Sequence, residues 1–379
     1  MKKIIVELGE RSYPICIGSP LAEIGKEIKG LFHSKVLIVT SSRIQWLYAQ
    51  TLVRSLSAVG YTPAIVAVPD GEKYKKLEWV MRLYKFCVKQ QMERLSPIIA
   101  LGGGVVGDLA GFVAATYLRG VPFIQIPTTL LAQVDASIGG KVGVDLLEGK
   151  NLVGSFYQPR LVWADIHTLK TLSYSEWRNG FAEVIKYGVI TDLDFFLFLE
   201  KNLEQLSPLF TSPTALNQYP KKDLFHQETL DILVEVVSRC AQIKASIVSE
   251  DEREDKGKRE ILNFGHTFGH ALEAAANYQV YKHGEAVALG MVAAARLAEK
   301  MKLFKDCQRL ESIIKRSGLP VKIEKNVGEK KILSGLMHDK KMRNNKLRFV
   351  LPLDLGKVIV DDVPLKLVME VIKGMRVAK

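Results

Sequence analysis

The sequence predicts an α/β protein whose N-terminal domain is built on a parallel sheet and whose second domain is rich in α-helix. Three observations carry this. Short apolar runs alternate with helical patterns through the first 170 or so residues, which is the signature of a parallel sheet covered on both faces. A glycine-rich run follows the third strand of this Rossmann-like parallel sheet and opens a helix, where free N–H groups can bind a phosphate. From about residue 174 the pattern is helical almost throughout. The division expected from this is 1–173 and 174–379, in keeping with usual domain sizes for 379 residues.

The elements follow in order. Ile4 to Leu8 and Tyr13 to Gly18 form a β-hairpin around Gly9-Glu10-Arg11. Lys35 to Thr40 is a buried strand, followed by a helix over Ile44 to Val59. Ala64 to Val68 is the next strand and Leu77 to Gln91 its helix. Pro97 to Leu101 leads into Gly102-Gly103-Gly104-Val105-Val106-Gly107-Asp108, with a helix over Val105 to Thr116. Phe123 to Ile126 and Leu161 to Asp165 are further strands. Thr168-Leu169-Lys170-Thr171 leads to the boundary.

Glycines let a backbone approach a phosphate, and free N–H groups at a helix start can bind one. The run matches G-x-G-x-x-G at 102, 104 and 107. It follows the third strand, however, and no acidic residue lies about 20 positions on, as the usual dinucleotide fold requires. A tight turn without a ligand therefore stays open. Asp70-Gly71-Glu72-Lys73-Tyr74-Lys75 closes the second strand at its carboxyl end, where open parallel sheets bind ligands, although ordinary turn chemistry would also place charges there. Thr128 and Thr129 could cap the next helix or touch a nucleotide. Asp135, Lys141, Lys150 and Asn151 fall in one glycine-rich span, either a solvated loop or a cradle for an anion.

In the second half, a helix over Ser175 to Gly188 carries Glu183 and Lys186 three apart among apolar neighbours. That reads as a ligand or a satisfied buried charge more readily than as a surface pair. Ser207 to Asp223 is a polar loop, Leu230 to Glu250 a long helix with Lys244, and Asp251 to Arg259 a charged, solvated linker. Three of the seven histidines then fall within a few turns. On a helix over Phe264 to Tyr278, Asn263, His266 and His270 would share one face. A second helix starting after the His283-Gly284 break would bring His283 back beside His266. So many polar groups in apolar helices favour a metal or catalytic site over a core of buried histidines. A hairpin, Leu347 to Leu351 with Lys357 to Val360, and a helix over Leu365 to Met375 close the chain.

Composition excludes several classes. No apolar run reaches the roughly 18 residues of a membrane span. The N-terminus meets a charge too early to hold a signal-peptide core. Cys16, Cys87, Cys240 and Cys307 are far apart and read as buried thiols in a reducing cytoplasm. The net charge of +12 is spread along the chain without a nucleic-acid-binding module, so it suits small anionic ligands or solubility better than nucleic acid.

Nine blocks in order give the chain a close resemblance to the 3-dehydroquinate synthase family over nearly its whole length. They are Pro-Asp-Gly-Glu-Lys-Tyr-Lys at 69–75, Gly-Gly-Gly-Val-Val-Gly-Asp at 102–108, Pro-Thr-Thr-Leu-Leu-Ala-Gln-Val-Asp at 127–135, Gly-Gly-Lys at 139–141 and Gly-Lys-Asn at 149–151. Ala-Glu-Val-Ile-Lys-Tyr-Gly at 182–188, Gly-His-Thr-Phe-Gly-His at 265–270, His-Gly-Glu at 283–285 and Asp-Lys-Lys at 339–341 complete the set. The resemblance implies a metal, zinc or else cobalt, on Glu183, His266 and His283, facing NAD across a domain cleft. It places NAD at Asp70, Gly71, Glu72, Lys73, Tyr74, Lys75, Gly104, Val105, Val106, Gly107, Asp108, Thr128, Thr129, Lys141, Lys150, Thr168, Leu169, Lys170 and Thr171. It places 3-deoxy-D-arabino-heptulosonate 7-phosphate at Arg119, Asp135, Lys141, Asn151, Lys186, Lys244, Arg259, Asn263, His270 and one of Lys340 or Lys341. His270 would relay protons with Asn263, and Lys186, Arg259 and Lys244 complete the catalytic set.

The implied reaction is transient oxidation by NAD, elimination of phosphate, reduction, ring opening and aldol closure to 3-dehydroquinate in the shikimate pathway. A cytoplasmic homodimer is implied with it. Two departures stand out. Ser41 and Ser42 occupy positions where the family commonly carries Asn or Asp towards the adenosine ribose, and the loop over 207–223 is longer than usual. Other sugar-phosphate cyclases and metal-dependent polyol dehydrogenases of the same architecture are the rival readings.

Overall fold

The computed structural model describes residues 1–211, 222–338, 342–343 and 346–377. It divides into two compact units. Met1–Thr171 joins Leu233–Arg253 in the first, and Leu172–Ile232 joins Glu254–Lys379 in the second. A single boundary at 173/174 therefore misses one segment, because most of the long helix Gln227–Glu250 returns to the first unit. The reason lies in its contacts there. Glu235 pairs with Lys2, Ser249 Oγ accepts from the Glu7 amide at 3.0 Å, and Lys244 reaches Asp135.

The first unit holds a seven-stranded sheet. Its strands are β1 (Lys2–Val6), β2 (Tyr13–Ile17), β3 (Lys35–Ser41), β4 (Thr62–Val68), β5 (Ile98–Gly102), β6 (Phe123–Pro127) and, after a separate hairpin of β7 (Lys141–Leu146) and β8 (Gly149–Phe156), β9 (Leu161–Ala164). The order is β1-β2-β9-β6-β5-β3-β4. Only the β1–β2 pair is antiparallel, so the N-terminal hairpin extends a parallel sheet. Helices Leu77–Lys89 and Gly104–Thr116 cover one face, through Val80, Leu83, Leu109 and Val113. Gln50–Ser57 covers the other, with Leu52 and Leu56 against Ile38 and Ile99. The expected helix from Ile44 is interrupted, because Gln45–Ala49 takes a π-turn.

The chain leaves β3 towards β4 at one edge and leaves β5 towards β6 on the other side. The carboxyl ends of β3 and β5 therefore form the topological switch point, where open α/β sheets bind ligands. The glycine-rich turn sits there. The β7–β8 hairpin corrects the reading of residues 141–151 as a loop, because the alternation in Val142 and Val144 pairs with residues of β8.

The second unit is built on helices Tyr174–Thr191, Leu193–Leu206, His266–Ala275 and His283–Lys300, with smaller helices and a three-stranded antiparallel sheet, β10 (Met342–Arg343), β11 (Lys346–Asp354) and β12 (Lys357–Pro364). Ser173 caps the first helix, and Asp192 ends it and caps the next by accepting from the Phe195 amide at 2.8 Å. From Ala286 to Ala295 the His283 helix is buried on every side, so it forms the centre of this unit. Among the described residues no helix is long and apolar enough to cross a membrane. All four cysteines are buried thiols, as expected.

Candidate active site

In the helical unit, three helices meet through small residues. A Cβ on Gly290 would stand 1.8 Å from the Gly265 carbonyl oxygen, and one on Gly265 would stand 2.7 Å from the Val287 oxygen. A Cβ on Gly284 would stand 2.3 Å from the Asn179 carbonyl oxygen, and the Gly284 amide donates to Asn179 Oδ1 at 2.7 Å. Only glycine permits such backbone approach. It brings the starts of the His266 and His283 helices against the middle of the Glu183 helix.

The side chains converge as a result. Glu183 is fully buried, with Oε1 3.5 Å from His266 Nε2 and 3.6 Å from His283 Nε2. Its Oε2 lies 2.5 Å from the Nζ of Lys186, which is also buried and stands over the Tyr187 ring. The three ligand-type atoms of Glu183, His266 and His283 lie within 4.8 Å of one another. One carboxylate and two imidazoles at this spacing match the donor set of a catalytic zinc-type site that leaves positions open. His270 is exposed, with its ring 5.4 Å from that of His266 and 6.3 Å from that of His283.

Electrostatics separate the two clustered imidazoles. Burial drives the His266 pKa down to about 3, with the Lys186 charge adding to the effect, so this ring is neutral and ready to donate a lone pair. Burial acts the same way on His283, but the hydrogen bonds and charges of Glu183 and Glu273 outweigh it and push the pKa up to about 10. Glu273 was not singled out from the sequence. Its Oε2 lies 3.7 Å from His283 Nδ1, and the signal that could have found it is its place seven residues after His266 on one helix.

The expected common face of Asn263, His266 and His270 is broken. Gly265 takes the left-handed φ of +80°, the helix begins only at His266, and Asn263 is exposed on the 3-10 turn Lys258–Asn263. The linker before it is not wholly solvated either. Asp251 is completely buried, and buried Arg259 has its Nε 3.2 Å from Glu254 Oε1. Lys340 and Lys341, with part of the 207–223 loop, lie outside the described residues.

In the sheet unit, the residues expected around a nucleotide surround the switch point. At Gly102 a Cβ would stand 2.8 Å from the Val106 Cβ, so packing favours glycine there, whereas at Gly107 it would meet only the end of the Gln125 side chain, 2.8 Å from Oε1. Gly104 has the freer surroundings. Gly71 takes φ +112°, which directs Glu72–Tyr74 into a 3-10 turn. Tyr74 packs edge-on against Trp79, and Lys73 stands over the Tyr74 ring. Thr129 Oγ1 accepts from the Ala132 amide at 3.2 Å, the capping role. The Thr128 hydroxyl is buried without a hydrogen-bond partner among the described residues. In Thr168–Thr171 the two hydroxyls are engaged internally, by Asp165 and Gln133 at Thr168 and by Tyr48 at Thr171, while Leu169 is buried and Lys170 half-buried.

Lys75 is a hub. Its buried ammonium lies 2.5 Å from Asn151 Oδ1, 3.1 Å from Asp108 Oδ2, 3.2 Å from Glu72 Oε1 and 3.6 Å from Asp145 Oδ1. Asp145 also accepts from the Asn151 amide at 2.8 Å, which holds Asn151 at a left-handed φ of +56°. Burial lowers the Lys75 pKa, but its three carboxylates prevail and raise it to about 12. One ammonium cannot compensate three carboxylates, and burial raises Asp108 to about 6.

Asp135 and Lys244, far apart in sequence, meet here. Lys244 Nζ donates to Asp135 Oδ1 at 2.7 Å and to its carbonyl at 2.8 Å. Lys141 and Lys150 are exposed on the hairpin. Arg119 is not brought to this edge. It follows the far end of the 13-residue helix Gly104–Thr116, which at ~1.5 Å per residue spans about 20 Å.

A Rossmann-like sheet with a loaded switch point, together with a Glu-His-His cluster in a helical unit, defines the class of metal- and nucleotide-dependent enzymes to which sugar-phosphate cyclases belong. Solved structures of that class are similar to this chain. A 2-deoxy-scyllo-inosose synthase, complexed with carbaglucose-6-phosphate, NAD+ and Co2+, is 27% identical with a TM-score of 0.83, covering 99% of this chain and 100% of that one. A 2-epi-5-epi-valiolone synthase from Streptomyces hygroscopicus subsp. jinggangensis, with NAD+ and Zn2+ bound, is 25% identical with a TM-score of 0.84, covering 97% and 98%. A 3-dehydroquinate synthase of Desulforamulus reducens is 49% identical over 362 residues, 94% of this chain and 95% of that protein. The family model for the 3-dehydroquinate synthase N-terminal region matches residues 65–179, and that for the C-terminal region matches 180–342. The chain belongs to the 3-dehydroquinate synthase family.

Proposed function

We propose that this chain is a phosphorus–oxygen lyase that converts 3-deoxy-D-arabino-heptulosonate 7-phosphate to 3-dehydroquinate and phosphate. This is a step of the shikimate pathway towards chorismate and the aromatic amino acids. The observation that carries the reading is the convergence of Glu183, His266 and His283 within 4.8 Å in a member of this family. Their donor set fits a divalent metal, most naturally zinc, with cobalt as a substitute. The buried hydroxyl of Thr128, without a partner among the described residues at the carboxyl end of β6, fits a nucleotide group, as does the glycine turn at the switch point. When bound, NAD supplies a reversible hydride acceptor and the metal supplies Lewis acidity towards substrate oxygens.

The chain's own residues do the rest. Lys186 holds Oε2 of Glu183, while Oε1 lies towards the imidazoles of His266 and His283. His270, one turn beyond His266 and exposed, is placed to move protons to and from substrate. Lys141, Lys244, Arg259 and the Asn151 amide group suit a ligand carrying both phosphate and carboxylate. Asn263 and one of Lys340 or Lys341 belong to the same substrate set. Asp70 to Lys75, Gly104 to Asp108, Thr128, Thr129, Lys141, Lys150 and Thr168 to Thr171 form the nucleotide set, in which Lys75 holds Glu72 and Asp108 in place. A homodimer in the cytoplasm completes the reading.

The test is to incubate the protein with the heptulosonate phosphate, a sub-stoichiometric amount of NAD, and zinc. Many turnovers of phosphate release with no net NADH are expected, because NAD is regenerated each cycle. Absence of phosphate release, or stoichiometric NADH from a polyol, would sink the reading in favour of another cyclase or a dehydrogenase.

A further inference from the structure

We propose that Glu273 is a positioning residue for His283, its carboxylate accepting a hydrogen bond from Nδ1–H so that the Nε2 lone pair faces Glu183 and His266. This rests on the metal-site reading given above. The two nitrogens of the His283 ring face two carboxylates on two different helices. Nε2 lies 3.6 Å from Glu183 Oε1, and Nδ1 lies 3.7 Å from Glu273 Oε2. An imidazole can present only one neutral nitrogen as a ligand, and the hydrogen bond made by the other nitrogen decides which.

Glu273 is only 6% exposed, on a stretch whose neighbours Ala271, Leu272 and Ala275 are buried. A shift of under about 1 Å brings the 3.7 Å separation to hydrogen-bond length. Because Glu273 lies two helical turns from His266, one helix supplies both a ligand and the group that orients the other ligand.

A rival use of the same atoms is a second metal position, since His270, Glu273 and His283 also lie within 4.8 Å. That set shares His283 with the first cluster. Filling both would require one imidazole to bind through both nitrogens, whereas an Nδ1–H donated to Glu273 leaves a single site with an oriented ligand.

The probe is Co2+ added to the metal-free full chain, comparing wild type, Glu273→Gln and Glu273→Asp. Affinity is read by chelator competition, ligand geometry by the visible absorption at saturation, and the Nδ1 proton by the exchangeable, paramagnetically shifted imidazole signals of the Co2+ form. Glu273→Gln is expected to weaken Co2+ by about 10- to 100-fold while keeping the saturated absorption band and the melting temperature of the metal-free protein. It should also lose the slowly exchanging signal of His283 that wild type shows. Glu273→Asp should fall between the two. Wild-type affinity in Glu273→Gln overturns the proposal, as does an equal fall in metal-free stability, which would mark a packing role. Two Co2+ ions per chain in wild type would favour the second-site alternative. No Co2+ binding by wild type would instead remove the metal-site reading itself.

Discussion

Gly290 and Gly265 are in such close backbone contact that a Cβ on Gly290 would stand 1.8 Å from the Gly265 carbonyl oxygen. This contact lets the His266 and His283 helices run together and sets their imidazole rings 5.3 Å apart. Replacing Gly290 with Ala must separate the helices or unfold them. The expected cost is about 3 kcal/mol or more, at the upper end for overpacking, with loss of metal retention. Gly374→Ala is the control, because its Cβ would meet nothing within 4 Å inside a helix, and a gain of ~0.5–1 kcal/mol is expected there. Denaturant unfolding and metal content of the purified variants check both. Normal metal content in Gly290→Ala would show that the approach is not needed.

His283 makes metal uptake a proton-releasing reaction. In the metal-free protein Glu183 and Glu273 hold its pKa near 10 against the opposing effect of burial, so at pH 7.5 the ring carries a proton that a metal must displace. His266, near 3, has none to lose. About one proton per zinc is therefore expected in lightly buffered solution, and affinity should rise roughly tenfold per pH unit between about 6.5 and 9. The sign for stability follows from the raised pKa. Without metal, the His283 contribution is full below about 6.5 and fades as pH climbs through about 10. A zinc affinity that does not change with pH would contradict this.

Much of the sheet unit was legible because its signals are local. Period-2 and buried strands, the glycine turn after β5 and the charged end of β4 each occupy a few consecutive residues. In the helical unit Glu183, His266 and His283, which the structure brings together, were legible as polar exceptions in apolar helices. What was hidden depends on contacts between distant segments. No local pattern reports that Gly265 turns left-handed in a place where a Cβ would meet Val287 and Met291, or that this turn leaves Asn263 outside the helix of His266. The burial of Asp251 inside a run that reads as solvated is equally invisible to local pattern, and the return of Leu233–Arg253 to the sheet unit is set by contacts with Lys2, Glu7 and Asp135, far away in the sequence. Hairpin β7–β8 was missed because its glycines and lysines outweigh a short valine alternation. Arg119 follows a helix whose length, not its composition, carries it from the switch point.

His266 and His270 are one turn apart and should fail differently. His266→Ala removes one of three clustered donors, and metal content of the purified protein should drop well below that of wild type. His270→Ala leaves the Glu183–His266–His283 set intact, so metal should remain while the rate falls about 10²- to 10⁴-fold, the usual range for a proton-transfer group. Elemental analysis beside the phosphate-release assay separates the two. Equal metal in wild type and His266→Ala would contradict the ligand assignment.

Lys75 ties three carboxylates and Asn151 together, and removing its charge should expose that arrangement. In Lys75→Met, Glu72, Asp108 and Asp145 face one another without a cation, and Asn151 Oδ1 loses the donor 2.5 Å away. Breaking a buried ion pair from one side costs roughly 3 kcal/mol, and the partial exposure of Asp108 and Glu72 keeps the figure from going higher. The deficit should depend on pH in a definite direction. Asp108 already has its pKa raised to about 6 by burial, against the pull of Lys75. A raised carboxyl pKa means the folded state gains stability as the group takes its proton, so the Lys75→Met deficit should shrink from pH 8 to pH 5. Lys75→Met with Asp108→Asn should recover part of the loss at pH 8. Urea unfolding of the variants at the two pH values decides it: a deficit equal at pH 5 and pH 8 would mean that packing of the lysine stem, not its charge, holds this corner of the sheet unit together.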